Sequence, residues 1–299
     1  MPAEGGGEMM TEDELKIVRR AYAKQILAAV GVSDARVEDA FAGVRREDFL
    51  GPGPWQIFRW GIAYRPTPSA DPVYLYTDDL VGIMPERRIN NGQPQLHAHL
   101  INQALPAPGE HVVHVGTGTG YYTAIMAHMV GPKGRVTGIE FEPELAARAR
   151  ASFASWSNVE IIEGDGALVA FDMANVIYVN AGATKPASAW LDRLADNGRL
   201  ILPLTTDKGF GDLGKKPSEM VSQGAVFRIA RDGDDFYAKY VSSVAIFPCA
   251  GNRNEASERA LAEALSKGRL NEVTRLYRHA DVAEEDCWLR GDGWSLAYK

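Results

Sequence analysis

The sequence predicts an α/β protein: a mostly parallel sheet with helices on both faces. Two observations carry that expectation. Between residues 111 and 204, short apolar runs alternate with helical patterns. A glycine-rich turn, Gly116-Thr117-Gly118-Thr119-Gly120, joins the first apolar run to a helix that starts at Tyr121. Strands are expected at 111–116, 135–140, 159–163, 175–180 and 198–204, and helices at about 120–130, 142–156 and 186–195. Alternation over this length means parallel strands joined by crossover helices. Gly131-Pro132-Lys133-Gly134 and Asn197-Gly198 supply the stops between elements. After Pro203 the helical patterns cease. Residues 225–230 and 236–247 read as strands joined by Arg231-Asp232-Gly233-Asp234, a hairpin signal. The expected sheet therefore has seven strands and ends in an antiparallel pair.

Two flanking segments complete the chain. Thr11 and Glu14 form a capping-box pair before an apolar series at helical spacing: Leu15, Val18, Tyr22, Ile26 and Leu27. Gly31 ends that helix, and Ser33 is expected to open a second. Residues 54–75 are rich in Trp, Tyr and Pro without a clear period, so an irregular insertion is expected there, acting as core packing or as a lid. Residues 76–88 suggest a short strand pair, Asn90-Asn91-Gly92-Gln93-Pro94 a tight turn, and 96–105 a helix. The tail reads as helices at about 255–267 and 271–279, closed by Trp288 and Trp294. The expected division is an N-terminal helical and lid segment (1–104), a core (105–249) and a C-terminal helical extension (250–299).

Composition removes several function classes. The net charge is −7, against an electrostatic nucleic-acid binder. The basic pairs Arg19-Arg20, Arg45-Arg46, Arg87-Arg88 and Lys215-Lys216 are scattered and read as solvated faces. Two cysteines, Cys249 and Cys287, are too few for a disulfide framework and read as small hydrophobes. No apolar run approaches membrane-spanning length. The first ten residues lack a basic-then-apolar signal pattern and read as disordered, so a cytoplasmic protein without a membrane partner is expected. His97 and His99 are two apart and cannot share a helix face, so no metal is expected. His114, inside the first core strand, reads as a core histidine.

The glycine turn selects the cofactor. A dinucleotide fingerprint needs a small residue at its sixth position to let helix and strand approach. Counting from Gly116, that residue is Tyr121. No phosphate-binding lysine follows, so a P-loop is excluded. The remaining common user of a G-x-G-x-G turn in an alternating sheet is S-adenosylmethionine. Three later features agree. Glu140 ends the second strand, where a carboxylate accepts hydrogen bonds from ribose hydroxyls. Asp165, in Gly164-Asp165-Gly166, follows the third strand and can accept from an adenine amino group. Asn180 follows the fourth. All lie at carboxyl ends of parallel strands, where ligands bind in open α/β sheets.

The chain resembles protein-L-isoaspartate (D-aspartate) O-methyltransferases over about residues 33–248. The matching pieces are Val44–Phe49 (VRREDF), Tyr76–Leu80 (YTDDL), Gln93–Ala98 (QPQLHA), Gly116–Tyr122, Gly164–Gly166 and Gly198–Pro203 (GRLILP). The resemblance implies a class I methyltransferase (Rossmann-like) fold. It also implies a segment before the first core strand that lines the active site, and methyl transfer from S-adenosylmethionine to a peptide or protein carboxylate, leaving S-adenosylhomocysteine. By position it assigns Gly116, Gly118 and Gly120 to the methionine-side loop, Glu140 to the ribose and Asp165 to the adenine; Thr117, Thr119, Tyr121, Gly166 and Asn180 are candidate cofactor-binding residues beside them. His97 maps to a position that approaches the cofactor in some members.

One departure concerns the acceptor. The family carries Thr-Ile-Ser directly before this Gln-Pro, and its serine is tied to the isoaspartyl carboxylate. Here those positions are Asn90, Asn91 and Gly92, and Asn175 stands where members often have Asp. An ionised carboxylate is already a nucleophile at neutral pH, so no general base is required. The candidate catalytic set is Asn90, Asn91, Gly92 and Gln93: side-chain amides, with the Gly92 N–H in place of the serine, binding the acceptor. Two alternatives stand beside this reading: a small-molecule methyltransferase, and a non-catalytic module that binds the cofactor and a partner.

Overall fold

The structure, a computed structural model, describes residues 9–59, 63–87, 89–207, 224–246 and 251–299. The start of the chain through residue 8, Trp60, Arg88, Lys215-Lys216, Phe247 and Cys249 lie outside the described residues. The chain divides into two compact units, Met1–His99 and Leu100–Lys299. Among the described residues no helix is long and apolar enough to cross a membrane.

In the first unit, helix α1 (Glu12–Ala29) begins at the expected capping box. The Thr11 hydroxyl accepts the Glu14 N–H, and the Glu14 carboxylate accepts the Thr11 N–H at 2.8 Å. Leu15, Tyr22, Ile26 and Leu27 share its buried face. Helix α2 (Ala35–Gly43) is capped by Asp34, one residue later than expected, and buries Val37, Ala40 and Phe41. The two helices pack together, and Arg20 pairs with Glu38 and Asp39 across them.

The expected irregular insertion is instead a small antiparallel sheet. Strands β1 (Gln56–Arg59), β2 (Ala63–Pro66), β3 (Leu80–Met84) and β4 (Ile89–Asn90) lie in the order β2-β1-β3-β4. Its alternation is faint in sequence because β2 is almost wholly exposed, so neither face needs to be apolar. Residues 76–88 hold one strand rather than a pair.

The expectation that Arg45-Arg46 is a solvated pair fails at Arg46, which is fully buried. Its guanidinium donates to the carbonyls of Leu75, Thr77 (3.0 Å) and Asp79 (3.1 Å), and to Asn91 Oδ1 (3.3 Å). A planar fork of five donors can satisfy so many converging acceptors; an ammonium cannot. Arg19 is also buried, in an ion pair with Glu12 at 2.6 Å.

Helix α3 (Pro94–Ala104) leads into the second unit. There the predicted alternation is present: β5 (His111–Val115), α4 (Tyr121–Val130), β6 (Arg135–Glu140), α5 (Pro143–Ser152), β7 (Val159–Glu163), β8 (Ala174–Val179), α6 (Ser188–Asp192) and β9 (Leu194–Thr205). Strands β7-β6-β5-β8-β9 are parallel neighbours in that order. The chain steps outward from β5 on one side, then returns to its other side with β8. That reversal opens a crevice at the carboxyl ends of β5 and β8, the usual ligand position of such sheets. Helix α6 is shorter than expected and β9 starts earlier, at Leu194.

Strands β10 (Gly224–Asp232) and β11 (Asp235–Ser243) form the expected hairpin and add antiparallel to β9. Its tip has Gly233 at φ +58°, as a tight two-residue turn demands.

These seven strands are the expected sheet, but the tail extends it. Helix α7 (Glu255–Lys267) forms where predicted, with Asn254 and Ser257 as its capping box. The second predicted tail helix does not form. Residues 270–272 make a 3₁₀ turn, and β12 (Arg275–Arg278), β13 (Cys287–Gly291) and β14 (Trp294–Ala297) bring the described sheet to ten strands. Leu270, Val273, Leu276 and Tyr277 mimic helical spacing, whereas the strand pairs of β12, with β11 and β14, are distant in sequence. Trp288 is fully buried, 5.3 Å from the Phe227 ring, and its indole donates to the Gly268 carbonyl at 2.9 Å. Cys287 is buried and free, as a small hydrophobe should be.

His114 is a core histidine as expected, but an incompletely satisfied one. Its Nδ1 meets Thr123 Oγ1 at 2.8 Å, while Nε2 is buried without a hydrogen-bond partner among the described residues. Burial pushes its pKa down to about 3, from 6.5. Between those values the unfolded chain holds a proton that the folded chain does not. Stability should therefore fall as pH drops below about 6.5, by roughly 1.4 kcal/mol per pH unit. Denaturation of the wild type and His114→Asn at pH 5.5 and 4.5 checks this. Equal pH slopes for the two proteins would remove the assignment.

Candidate cofactor cradle and acceptor turn

The cradle follows from three left-handed glycines. Gly116, Gly118 and Gly120 have φ of +80°, +58° and +106°, which side-chain-bearing residues rarely adopt. Gly116 has a second constraint: a Cβ there would lie 2.8 Å from the Asn180 carbonyl oxygen. Asn180 braces this contact, because its N–H donates to the Val115 carbonyl at 2.8 Å and its amide to the Gly116 carbonyl at 3.4 Å. The turn thus crosses the β5–β8 crevice and delivers the chain into α4, whose first N–H groups have no partner within the helix.

Thr117 Oγ1 donates to the His114 carbonyl at 3.2 Å, and both Thr117 and Thr119 are buried. Tyr121 is buried too, edge-on to Tyr122 at 5.0 Å between ring centres.

Glu140, at the end of β6, turns its carboxylate toward the same loop. Its Oε2 accepts the Gly118 N–H at 2.6 Å and its Oε1 the Glu142 N–H at 3.0 Å. Burial raises its pKa, and these two N–H groups oppose the rise. A carboxylate offers about four lone-pair sites, so capacity remains beyond these backbone donors for a ribose hydroxyl. The next strand end is tied alongside, since the Gly164 N–H donates to the Glu140 carbonyl at 2.9 Å. Asp165 follows, its Oδ1 accepting the Ala167 N–H at 2.8 Å. Gly166 packs so closely that a Cβ would meet Val115 Cγ1 at 2.3 Å. The groups present fit S-adenosylmethionine: a glycine turn leading into a helix N-terminus, a buried carboxylate at the end of β6 and a second carboxylate just after β7. Sequence reasoning passed over Phe141, an exposed ring directly after Glu140 that offers apolar surface at this edge.

The candidate acceptor residues belong to the first unit, and the structure gives most of their groups partners there. Asn90 Oδ1 accepts the Gly92 N–H at 2.9 Å, so that N–H is engaged by the turn itself. Asn91 is buried, and its Oδ1 accepts from Arg46 and from the Val81 N–H at 3.1 Å; its Nδ2 has no hydrogen-bond partner among the described residues. Gln93 is exposed and donates to Asp78 Oδ2 at 2.6 Å. Asp78 also accepts the Gln95 N–H at 2.7 Å, capping α3, and burial raises its pKa. His97 is buried in this same unit, beside Gly92.

Gly92 has φ +79°, and a Cβ there would lie 2.2 Å from His97 Nε2. Gly92→Ser should therefore destabilise the protein by about 1–2 kcal/mol through backbone strain and the clash. Adding His97→Ala should recover part of the loss. Urea denaturation of the single and double variants measures both terms; a neutral Gly92→Ser would contradict the predicted strain.

The strand order, the switch-point crevice and the glycine-carboxylate set define a class I S-adenosylmethionine-dependent methyltransferase. Comparisons carry this further. The family model for protein-L-isoaspartate(D-aspartate) O-methyltransferase matches residues 23–224. A protein-L-isoaspartate O-methyltransferase from Aeropyrum pernix is 32% identical over 201 residues, covering 65% of this chain and 69% of that protein. One from Ignicoccus hospitalis is 36% identical, covering 41% of this chain and 60% of that protein. A solved protein-L-isoaspartate O-methyltransferase shares the fold with a TM-score of 0.63 and 24% identity, over 82% of this chain and 70% of that one. A second, from Plasmodium falciparum and in complex with S-adenosyl-L-homocysteine, does so at 0.58 and 18%, over 77% and 97%. The chain belongs to the protein-L-isoaspartate (D-aspartate) O-methyltransferase family.

Proposed function

We propose that this chain transfers a methyl group from S-adenosylmethionine to a carboxylate of a peptide or protein, of the isoaspartyl or aspartyl type. Family membership carries this reading, supported by the Gly118–Glu140 contact, which holds a carboxylate against the glycine turn where the proposed site needs one for the ribose.

The cofactor, when bound, supplies an electrophilic methyl on a positively charged sulfur. The acceptor carboxylate brings the electron pair. A C–O bond forms as the C–S bond breaks, and the two opposite charges cancel. No proton moves, because the carboxylate is ionised at neutral pH. Charge cancellation favours a site from which water is excluded. The protein's remaining task is alignment, which can supply about 7–11 kcal/mol. Glu140, Asp165 and the glycine loop orient the methyl donor. Asn90, Asn91, Gly92 and Gln93 are the proposed acceptor turn, held in shape by Arg46 and Asp78.

Transfer of labelled methyl from S-adenosylmethionine to matched isoaspartyl and aspartyl peptides tests the reading. Base-labile label on either peptide is expected, as for a carboxyl ester. Base-stable label, or none, would overturn it. Preference for the isoaspartyl peptide would make the activity damage repair despite the missing serine.

A further inference from the structure

The C-terminal extension lies beyond the family match, which ends at residue 224, yet it returns to the cofactor end of the sheet. Three consecutive residues do this. Asn252 Nδ2 donates to the Lys185 carbonyl at 2.6 Å, and Arg253 Nη1 to the Gly182 carbonyl at 2.7 Å. Thr184 Oγ1 donates to the Asn252 carbonyl at 3.4 Å and meets Ser257 Oγ at 2.6 Å. The gripped loop, 182–185, is the one that leaves β8 through Asn180, at the crevice. Arg253 is held from behind by Glu258, whose other oxygen accepts the Asp207 N–H at 2.7 Å.

Gly251 meets the neighbouring strand end. A Cβ built on it would fall 2.4 Å from Asp165 Oδ2 and 2.8 Å from both Cγ and Oδ1. The Asp165 carboxylate cannot swing aside freely, because Oδ1 holds the Ala167 N–H at 2.8 Å. Any side chain at 251 must therefore displace either the carboxylate or the tail. This close approach is a property of the folded extension: nothing in the local sequence Gly251-Asn252-Arg253 marks it as part of a cofactor site.

We propose that Gly251–Arg253 is the outer wall of the adenine subsite. Asn252 and Arg253 clamp the segment onto loop 182–185. The bare glycine at 251 brings backbone against Asp165 while leaving the carboxylate able to accept from an adenine amino group. The inference rests on Asp165 as the adenine acceptor and adds a wall that the family match does not contain.

Calorimetry with S-adenosylhomocysteine and with S-inosylhomocysteine, in which oxygen replaces the 6-amino group, tests this on the full chain. Gly251→Val should weaken S-adenosylhomocysteine binding by about tenfold or more, the scale of losing a hydrogen bond to a charged acceptor. Adding Asp165→Ala to it should cost little further, and the preference for the amino-bearing ligand should disappear in both. Wild-type affinity in Gly251→Val, or fully additive losses, would overturn the proposal. Should Gly251→Val not fold, Arg253→Ala decides. Weaker binding with an unchanged ligand-free Tm supports the wall, and unchanged binding overturns it. A wild type that binds no S-adenosylhomocysteine would remove the functional reading as well. Binding that Gly251→Val leaves intact removes only this inference.

Discussion

Replacing Arg46 with methionine should destabilise the first unit by about 3–5 kcal/mol, the cost of removing one partner from a buried charged network. Methionine fills much of the space, so the loss is chiefly polar. The carbonyls of Leu75, Thr77 and Asp79 and the Asn91 side chain would lose their shared donor inside the protein. Each stranded buried group costs about 1–3 kcal/mol before relaxation. Arg46→Lys should rescue little, because one ammonium cannot reach acceptors spread along residues 75–91. Two measurements report on it: urea denaturation gives the free energy, and hydrogen exchange shows where the loss falls. Exchange should accelerate first at Val81, whose N–H donates to Asn91 Oδ1, and at Asn91, whose N–H donates to the Val81 carbonyl. A change below about 1 kcal/mol, or protection lost evenly along the chain, would show that Arg46 is not the hub. Since Asn91 lies in the proposed acceptor turn, methyl transfer should fall more steeply than cofactor binding.

The second large effect is on the cofactor. Glu140→Ala should weaken S-adenosylhomocysteine binding by about 1.5–3 kcal/mol, roughly 10–150-fold, as for hydrogen bonds to a charged acceptor. Two losses combine in that figure. The ribose loses the carboxylate proposed to hold it, and the Gly118 N–H loses its acceptor. Glu140→Gln keeps an oxygen for one of these and should fall between. The raised pKa of Glu140 adds a pH signature. Only the ionised carboxylate accepts from both hydroxyls. Affinity should therefore decline on acidification sooner than an ordinary carboxylate would allow, and Glu140→Gln should lack that decline. Unchanged affinity in the alanine variant would mean that the ribose sits elsewhere.

The local geometry of the proposed cofactor half was legible because its signals are local. Gly116 to Tyr121, Glu140 and Asp165 each sit within a residue or two of a strand end, and strand ends in a parallel sheet are readable from apolar runs. The acceptor half was only half legible. The Asn90–Gln93 turn was visible as a turn, and as a departure from the family. That Gly92 must be glycine because His97 Nε2 occupies the space of a Cβ was not. Arg46 was misread for a related reason. Adjacent arginines look solvated in sequence, and the carbonyls that bury this one come from residues 75–79. The tail shows the same limit. Its helix was readable from capping and periodicity, whereas β12 depends on pairing with β11 and β14, and its local apolar spacing resembles a helix.

By itself, then, the sequence determined the parallel α/β core, the glycine cradle and the carboxylates that follow its strands. These depend on periodicity and on residues that permit particular backbone angles, which neighbours in the chain decide. Tertiary structure alone decided that Arg46 is an internal hub, that Asn180 braces Gly116, and that Gly251 abuts Asp165. Those contacts join residues about 30 to 90 positions apart. Their cost is loop closure and their reward is burial, and neither leaves a mark in the pattern of nearby residues.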